Sequence, residues 1–258
     1  MIQKEFADKA VAVVKKDATV IGLAAGGSWI TNEMDEYSDL DLILVTKNKV
    51  AVDKEKMLNY AGKLGELISG FTGDHVGEPR LLICLFDTPL LHVDIKFLTL
   101  PEFYERVEDP VILFERDGQL TDVIKTTKAQ WPQPDLQWME DRFWTWVHYI
   151  ASKAARGEYF ECIDGIGFIR AQVLAPLLQI KSKTTVRGLR KVEKKLNLPD
   201  LEDLKITIPQ YNKASILKTL DNTIGIYKML RRKLFTDKKK LRELAEKRAV
   251  AFLKKITK

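Results

Sequence analysis

The first half of the chain alternates short apolar runs with polar turns, a pattern typical of strands in a mixed sheet. We interpret five runs as strands, at 19–25, 40–46, 80–86, 91–98 and 111–115. An amphipathic helix is predicted over 2–16 and a second helix over 52–69, followed by a loop rich in Gly and Asp over 71–78. Residues 87–90, with Pro89, predict a hairpin between the third and fourth strands.

Beyond residue 130 the apolar spacing becomes helical. The segment WPQPD at 131–135 contains two prolines in five residues, which predicts an extended linker. Helices are predicted over 136–155, 159–180, 187–196, 215–235 and 238–254. The sequence therefore predicts an α+β protein, with an N-terminal mixed-sheet domain over 1–130 and an all-helical bundle domain over 131–258.

Length and composition agree with two globular domains. The chain has 258 residues, of which 45% are hydrophobic and 30% charged, enough for two modest cores. The pattern predicts neither a membrane span nor a secretory leader, so we expect a cytoplasmic protein without a membrane partner. Cys84 and Cys162 lie in apolar segments without the spacing of metal ligands, which predicts buried free thiols.

The positive charge is concentrated near the end of the sequence. The formal net charge is +6, whereas residues 228–258 contain thirteen Lys and Arg against three Asp and Glu, so the rest carries 6 − 10 = −4. A basic segment could contact nucleic acid. Its apolar residues fall near helical spacing, which favours a helix with a solvated cationic face. We therefore do not expect a nucleic-acid partner, and the sequence predicts no oligomeric state.

Two strands carry candidate chemistry. Side chains alternate between the faces of a strand, so Asp39 and Asp41 share one face while Leu40 and Leu42 point into the core. Adjacent carboxylates repel each other unless a cation neutralises them, and oxygen ligands at this density suit Mg²⁺. The same alternation in the fourth predicted strand places His92, Asp94 and Lys96 on one face.

If those two strands are neighbours, Asp94 joins the pair. Three such carboxylates can hold two metal ions that orient a triphosphate for in-line displacement. Lys96 either neutralises phosphate or forms an ion pair with Asp94, two residues away, and the two interpretations are equally open. The turn Gly26-Gly27-Ser28, twelve residues before Asp39, lets the backbone approach a phosphate, although such a turn is by itself a weak signal.

These residues resemble the polymerase-β-like nucleotidyltransferases. The pattern of that superfamily is a Gly-Ser turn, about a dozen residues, Asp-hydrophobic-Asp and a third Asp on a later strand, matched here by Gly27-Ser28, Asp39-Leu40-Asp41 and Asp94. The segment FWTWVHYIASKAARGEYFECIDGIGFIR, which follows the linker, is similar to bacterial aminoglycoside and lincosamide nucleotidyltransferases, many of which confer antibiotic resistance.

The resemblance implies transfer of a nucleoside monophosphate, most simply AMP from ATP, to a hydroxyl of a small acceptor such as an aminoglycoside, with release of pyrophosphate. It implies that Asp39, Asp41 and Asp94 hold two Mg²⁺ ions and that Gly27 and Ser28 bind the phosphates. Asp94 would also help to deprotonate the acceptor. Some relatives use an additional glutamate as base, for which Glu158 is the candidate; an acidic residue that starts a helix is the structural alternative.

Two other functions stay open. A nucleotide-binding regulatory or antitoxin-like module would keep the fold and bind Mg²⁺-ATP without turnover. An enzyme that modifies a protein or an RNA 3′ end would give the basic segment a role in binding.

Overall fold

The protein is described by a computed structural model, which covers residues 1–236 and 238–257. The chain divides into two compact units, Met1–Pro132 and Gln133–Lys258. The division lies inside the proline-containing segment that begins at Trp131. The α+β class predicted from the sequence is confirmed, because a mixed sheet is followed by a helical region.

The first unit contains a six-stranded sheet in the order β3-β4-β5-β2-β1-β6. The strands are β1 Val20–Ala25, β2 Leu40–Thr46, β3 Glu66–Gly73, β4 Glu78–Asp87, β5 Leu91–Thr99 and β6 Val111–Glu115. Strands β2 and β5 pair in parallel, and the other four neighbouring pairs are antiparallel. The predicted hairpin after Asp87 is confirmed by the antiparallel pairing of β4 with β5.

Four helices pack on the two faces of this sheet: α1 Ile2–Val14, α2 Lys54–Ala61, α3 Leu100–Phe103 and α4 Gln119–Thr126. On one face, side chains of α1 and α2 form a core with alternate residues of β2 and β5, including Leu42 and Ile95. On the other face, Phe103 and Leu120 cover Val45 and Leu98 at the carboxyl ends of the same two strands. The amino-terminal half of that second face carries the acidic residues discussed below.

The second unit is helical. Its helices are α5 Leu136–Ala155, α6 Tyr159–Ile169, α7 Ala175–Lys181, α8 Val192–Lys195, α9 Leu198–Lys205, α10 Lys213–Leu234 and α11 Glu243–Thr257, with a π-helical turn at Arg170–Leu174 that joins α6 to α7. At its centre, the fully buried Glu140 accepts hydrogen bonds from Tyr227 and Arg231 of α10. This contact satisfies a charge that would be costly to bury alone.

One helical stretch, Tyr159–Lys181, is long and apolar enough to cross a membrane by length and composition. Half of its most apolar 18-residue window is buried, and Cys162, Ile166 and Leu177 belong to the core of the helical unit.

Two predicted helices differ from the structure. The helix predicted over 52–69 is wrong in its second half, because α2 ends at Ala61 and β3 begins at Glu66. In the helix predicted over 187–196 only Val192–Lys195 is helical, since Gly188 and Lys191 adopt positive φ angles that interrupt a right-handed helix. The predicted buried thiols are confirmed: Cys84 and Cys162 are both free and buried.

Candidate nucleotidyl-transfer site

The parallel pairing of β2 with β5 places two of the predicted carboxylates side by side. Asp41 is in register with Asp94, and neighbouring strands are about 4.8 Å apart. The side chains of Asp41 and Asp94 are half-buried, whereas those of the residues before and after them are buried, namely Leu40, Leu42, Val93 and Ile95. The alternation predicted from the sequence is thus confirmed, and it brings Asp41 and Asp94 to one face of the sheet.

Asp39 lies one residue before β2 and is half-buried. The loop that leads to it is held by Gln3 of α1, whose buried amide donates hydrogen bonds to the carbonyl oxygens of Asp35 (3.0 Å) and Ser38 (2.7 Å). The Ser38 hydroxyl also bonds to the Asp35 carboxylate at 2.9 Å. These contacts fix the backbone next to Asp39, so Gln3 is a positioning residue for this end of the site.

The Gly-Ser turn follows β1 directly and contacts Asp41. The Gly26 N–H donates to the Asp41 carbonyl at 2.9 Å, and Gly27 adopts a φ of 58°. An ideal Cβ on Gly27 would overlap Asp41 Oδ2 and lie 3.0 Å from Asp41 Cγ. The missing side chain of Gly27 therefore makes room for the Asp41 carboxylate, which explains the glycine at this position on two grounds: its backbone angle and its contact.

A carboxylate that the sequence did not indicate reaches the same turn. Glu108 Oε1 accepts a hydrogen bond from the Gly27 N–H at 3.2 Å. Glu108 lies in the loop between α3 and β6, 81 residues away in the sequence. Gly27 thus contacts the carboxylate of Glu108 through its N–H and that of Asp41 through its α-carbon.

Asp94 contacts a neighbour on its own strand and acts electrostatically on a residue of β4. His92 Nε2 lies 2.9 Å from Asp94 Oδ1, and the side chains of His92 and Asp94 are 49% and 19% exposed. Burial, followed by the negative charge of Asp94, raises the pKa of the Cys84 thiol to about 12. Cys84 is therefore a protonated thiol of the core at neutral pH and does not supply a thiolate ligand.

Lys96 shares the face of Asp94 but is engaged in an ion pair. Its Nζ lies 2.7 Å from Glu78 Oε2, and Arg80 makes a two-pronged contact with the same carboxylate through Nε (2.7 Å) and Nη2 (2.8 Å). Hydrogen bonding from Arg80, with a further contribution from Lys96, lowers the pKa of Glu78 to about 2. Of the two interpretations of Lys96, the structure shows the ion pair, although with Glu78 rather than Asp94; contact with phosphate stays a prediction.

The donor set suits a hard divalent cation in its chemistry. Asp41 and Asp94 offer carboxylate oxygens from adjacent strand positions, and Asp39 precedes Asp41 by two residues. Within residues 1–236 and 238–257, no three His, Cys, Asp or Glu side chains are gathered around one point as metal ligands. A metal site made of Asp39, Asp41 and Asp94 therefore stays a prediction.

Glu158, the candidate base, belongs to the second unit and begins α6. Lys153 donates a short hydrogen bond to its Oε2, and Arg156 Nε lies 2.7 Å from its Oε1. The hydrogen bond from Lys153 lowers the pKa of Glu158, with a smaller contribution from the charge of Arg156. A carboxylate with a lowered pKa accepts a proton less readily, so these contacts favour the ion-pair role; the role of base stays a prediction.

Solved structures similar to this chain include nucleotidyltransferases, the kind of protein that the motifs resemble. An aminoglycoside 6-adenyltransferase from Bacillus subtilis is 15% identical and has a TM-score of 0.41, with 98% of each chain covered. A spectinomycin adenyltransferase from Enterococcus faecialis, solved with ATP and spectinomycin, is 12% identical over 99% of each chain, with a TM-score of 0.31.

A nucleotidyltransferase-like protein from Exiguobacterium sibiricum is 13% identical over 97% of this chain and 74% of its own, with a TM-score of 0.26. No family model and no curated protein matches the chain. Likenesses at this level carry no inference of function, which we draw from the side chains themselves.

Proposed function

We propose that the protein is a metal-dependent nucleotidyltransferase that moves a nucleoside monophosphate from a nucleoside triphosphate, most simply ATP, to a hydroxyl of a small acceptor. The observation that carries this proposal is the register of Asp41 with Asp94 on adjacent parallel strands. Two carboxylates paired in this way on a half-open sheet face have no structural need for each other, because their charges repel. A cation bound by both carboxylates would offset this repulsion.

In this proposal Asp41 and Asp94, joined by Asp39, hold the divalent metal. When bound, Mg²⁺ supplies charge neutralisation and alignment of the triphosphate for in-line displacement. Asp94 is also proposed to take a proton from the acceptor hydroxyl, and His92, whose Nε2 lies 2.9 Å from Asp94 Oδ1, would orient the carboxylate and pass the proton on.

The turn Gly27-Ser28 is proposed to bind the phosphates. The Gly27 backbone lies against the Asp41 carboxylate, so phosphate oxygens on the turn and a metal on Asp41 would be within reach of each other. Lys96 would assist with one of its three N–H donors, because an ammonium can keep its contact with Glu78 and still donate to a phosphate oxygen.

A small polyhydroxylated and cationic acceptor, such as an aminoglycoside, suits the acidic face. Outside residues 228–258 the chain carries a net negative charge, and the candidate site contributes Asp39, Asp41, Asp94 and Glu108. A cationic acceptor would be attracted to this face in a salt-dependent manner.

The test measures nucleotide binding and turnover separately. Calorimetry with ATP in Mg²⁺ and in EDTA is expected to show binding only with the metal. A pyrophosphate-release screen over four nucleoside triphosphates and a panel of aminoglycosides, lincosamides and small alcohols is then expected to identify a productive pair. Equal ATP affinity in Mg²⁺ and EDTA would contradict the site, whereas metal-dependent binding without pyrophosphate release across the panel would favour the regulatory module.

A further inference from the structure

We propose that Glu108 controls nucleotide affinity by competing with a phosphate group of the triphosphate for the N–H of Gly27. This inference rests on the proposed function, because it concerns the same turn. Nothing in the motif pattern points to Glu108, which follows neither an aspartate pair nor a glycine turn. Its position is known only from the fold.

The competition follows from the hydrogen bond itself. Glu108 Oε1 lies 3.2 Å from the Gly27 nitrogen and accepts its N–H. A phosphate oxygen bound by the turn would approach the same donor, and a single N–H directs one strong hydrogen bond. Two anionic acceptors at one donor would also repel each other, so the carboxylate of Glu108 must turn away when the phosphate arrives.

The backbone on both sides of Glu108 is held in place. Arg106, whose side chain is only 5% exposed, binds Asp109 at 2.6 Å and donates to the hydroxyl and carbonyl oxygens of Thr127. Pro110 is buried next to β6. Because the loop is anchored at these points, displacement of Glu108 is expected to be a rotation of the side chain rather than a rearrangement of the loop.

The consequence is a site whose affinity is set partly by one competing carboxylate. Its negative charge lies beside Asp41, on the turn that is to receive a polyanion, and weakens binding of the triphosphate until a metal offsets the repulsion. Removing the charge at position 108 should therefore tighten nucleotide binding. This is the opposite of what removal of a metal ligand would do, and the two roles can be told apart by the sign of the change.

The experiment compares Glu108→Gln with Glu105→Gln by calorimetry in excess Mg²⁺. Glu105 lies exposed in the same loop and serves as the matched control for the change in charge. The probes are ATP and inorganic tripolyphosphate, which carries the phosphates without the nucleoside. Glu108→Gln is expected to bind both probes about threefold to tenfold more tightly than the unmodified protein, and Glu105→Gln to bind both as the unmodified protein does.

Three results would overturn the inference. Unchanged affinity in Glu108→Gln would show that no competition exists. Weaker affinity would make Glu108 a metal ligand or a support of the turn. If the variant bound ATP more tightly but not tripolyphosphate, Glu108 would act on the nucleoside and not on the phosphates. Thermal unfolding checks the variants, and Glu108→Ala, which removes the acceptor altogether, replaces the glutamine variant if that protein does not fold. If the unmodified protein binds neither probe, the proposed function fails; if it binds both and position 108 has no effect, only the role of Glu108 fails.

Discussion

The substitution Gly27→Ala should have two effects that can be measured separately: it should reduce the stability of the fold and displace the Asp41 carboxylate. At a φ of 58° an alanine costs about 1 kcal/mol relative to glycine, because the left-handed region crowds Cβ against the backbone. In addition, the new Cβ would overlap Asp41 Oδ2, so the carboxylate must rotate away from the turn. The first effect reduces the free energy of unfolding, and the second displaces a proposed metal ligand.

Two other glycines allow these effects to be measured apart. Gly118 has a φ of 67° and no atom within 4 Å of an ideal Cβ, so Gly118→Ala carries the backbone cost alone. Gly26 has a φ of −108°, and its ideal Cβ lies 3.6 Å from Asp41 Cβ, an ordinary contact. We expect Gly27→Ala and Gly118→Ala to lose similar stability in urea unfolding, and Gly26→Ala to lose little.

Only Gly27→Ala should lose function. A catalytic group displaced by about 1 Å can lower a rate by about a hundredfold, and we expect a loss of that size in Mg²⁺-dependent pyrophosphate release. Affinity for Mg²⁺-ATP, measured by calorimetry, should fall by at least about tenfold if one carboxylate ligand of the metal is misplaced. If Gly27→Ala bound Mg²⁺-ATP as tightly as Gly118→Ala and released pyrophosphate at the same rate, the placement of Asp41 by this turn would have no functional meaning.

Three further substitutions test other predicted or observed roles of single residues. Asp41→Asn should lower pyrophosphate release by at least about a hundredfold. Its thermal stability without metal should stay equal or rise, because repulsion with Asp94 is relieved. Glu36→Gln, in the preceding loop, is the control, and comparable turnover in the two variants would contradict the proposal that the protein is an enzyme. Because the pKa of Glu78 is lowered from 4.5 to about 2, its ion pairs stabilise the fold above about pH 4.5, and this contribution is lost as the pH falls toward about 2. Glu78→Gln should thus reduce the free energy of unfolding by roughly 1–2 kcal/mol at pH 7, a value discounted for solvent screening, and leave it nearly unchanged at pH 2. The measurement is urea unfolding of both proteins from pH 7 to pH 2. If their free energies of unfolding differed by the same amount at every pH, the ion pairs of Glu78 would not be the cause. If Glu158 is the base, Glu158→Gln should lower turnover by about 10²–10⁴-fold with unchanged affinity for Mg²⁺-ATP, whereas unaltered turnover would leave it an ion-pair partner of Lys153.

The strands that carry the site were predictable because their side-chain pattern is dictated by burial. Strand β2 spans the predicted residues 40–46, and its buried Leu40 and Leu42 alternate with the half-buried Asp41 and Ile43. That alternation alone assigns Asp41 to the open face. The pairing of β2 with β5 could not be predicted from the sequence. An alternation of side chains between two faces does not specify which strands are neighbours or whether they run parallel.

The edge of the sheet was not predictable in the same way. The residues of β3 fall in the predicted helix over 52–69 and in the predicted loop over 71–78, which is rich in Gly and Asp. In the structure Ile68 and Phe71 are exposed, so the strand lacks the regular alternation of a half-buried strand. As an edge strand it pairs only with β4, so few of its residues need to be apolar. The same limit applies to Glu108 and Gln3, whose contacts with the turn and with the loop before Asp39 are long-range and leave no local pattern.

Alternate side chains of β2 lie on opposite faces of the sheet, so one strand can contribute to the core with one set and to the proposed site with the other. Its even positions pack against α1 and α2, whereas its odd positions pass from Asp41 on the half-open end to Ile43 and the buried Val45 under α3 and α4. The helices of the second face therefore cover the carboxyl ends of β2 and β5 and leave the amino-terminal end of β2 to the acids and the Gly-Ser turn. Carboxylates at this end are only half-buried, and contact with solvent lowers the cost of their repulsion. A substitution at Leu42 should accordingly act on folding and one at Asp41 on chemistry, although the two residues are adjacent in the chain.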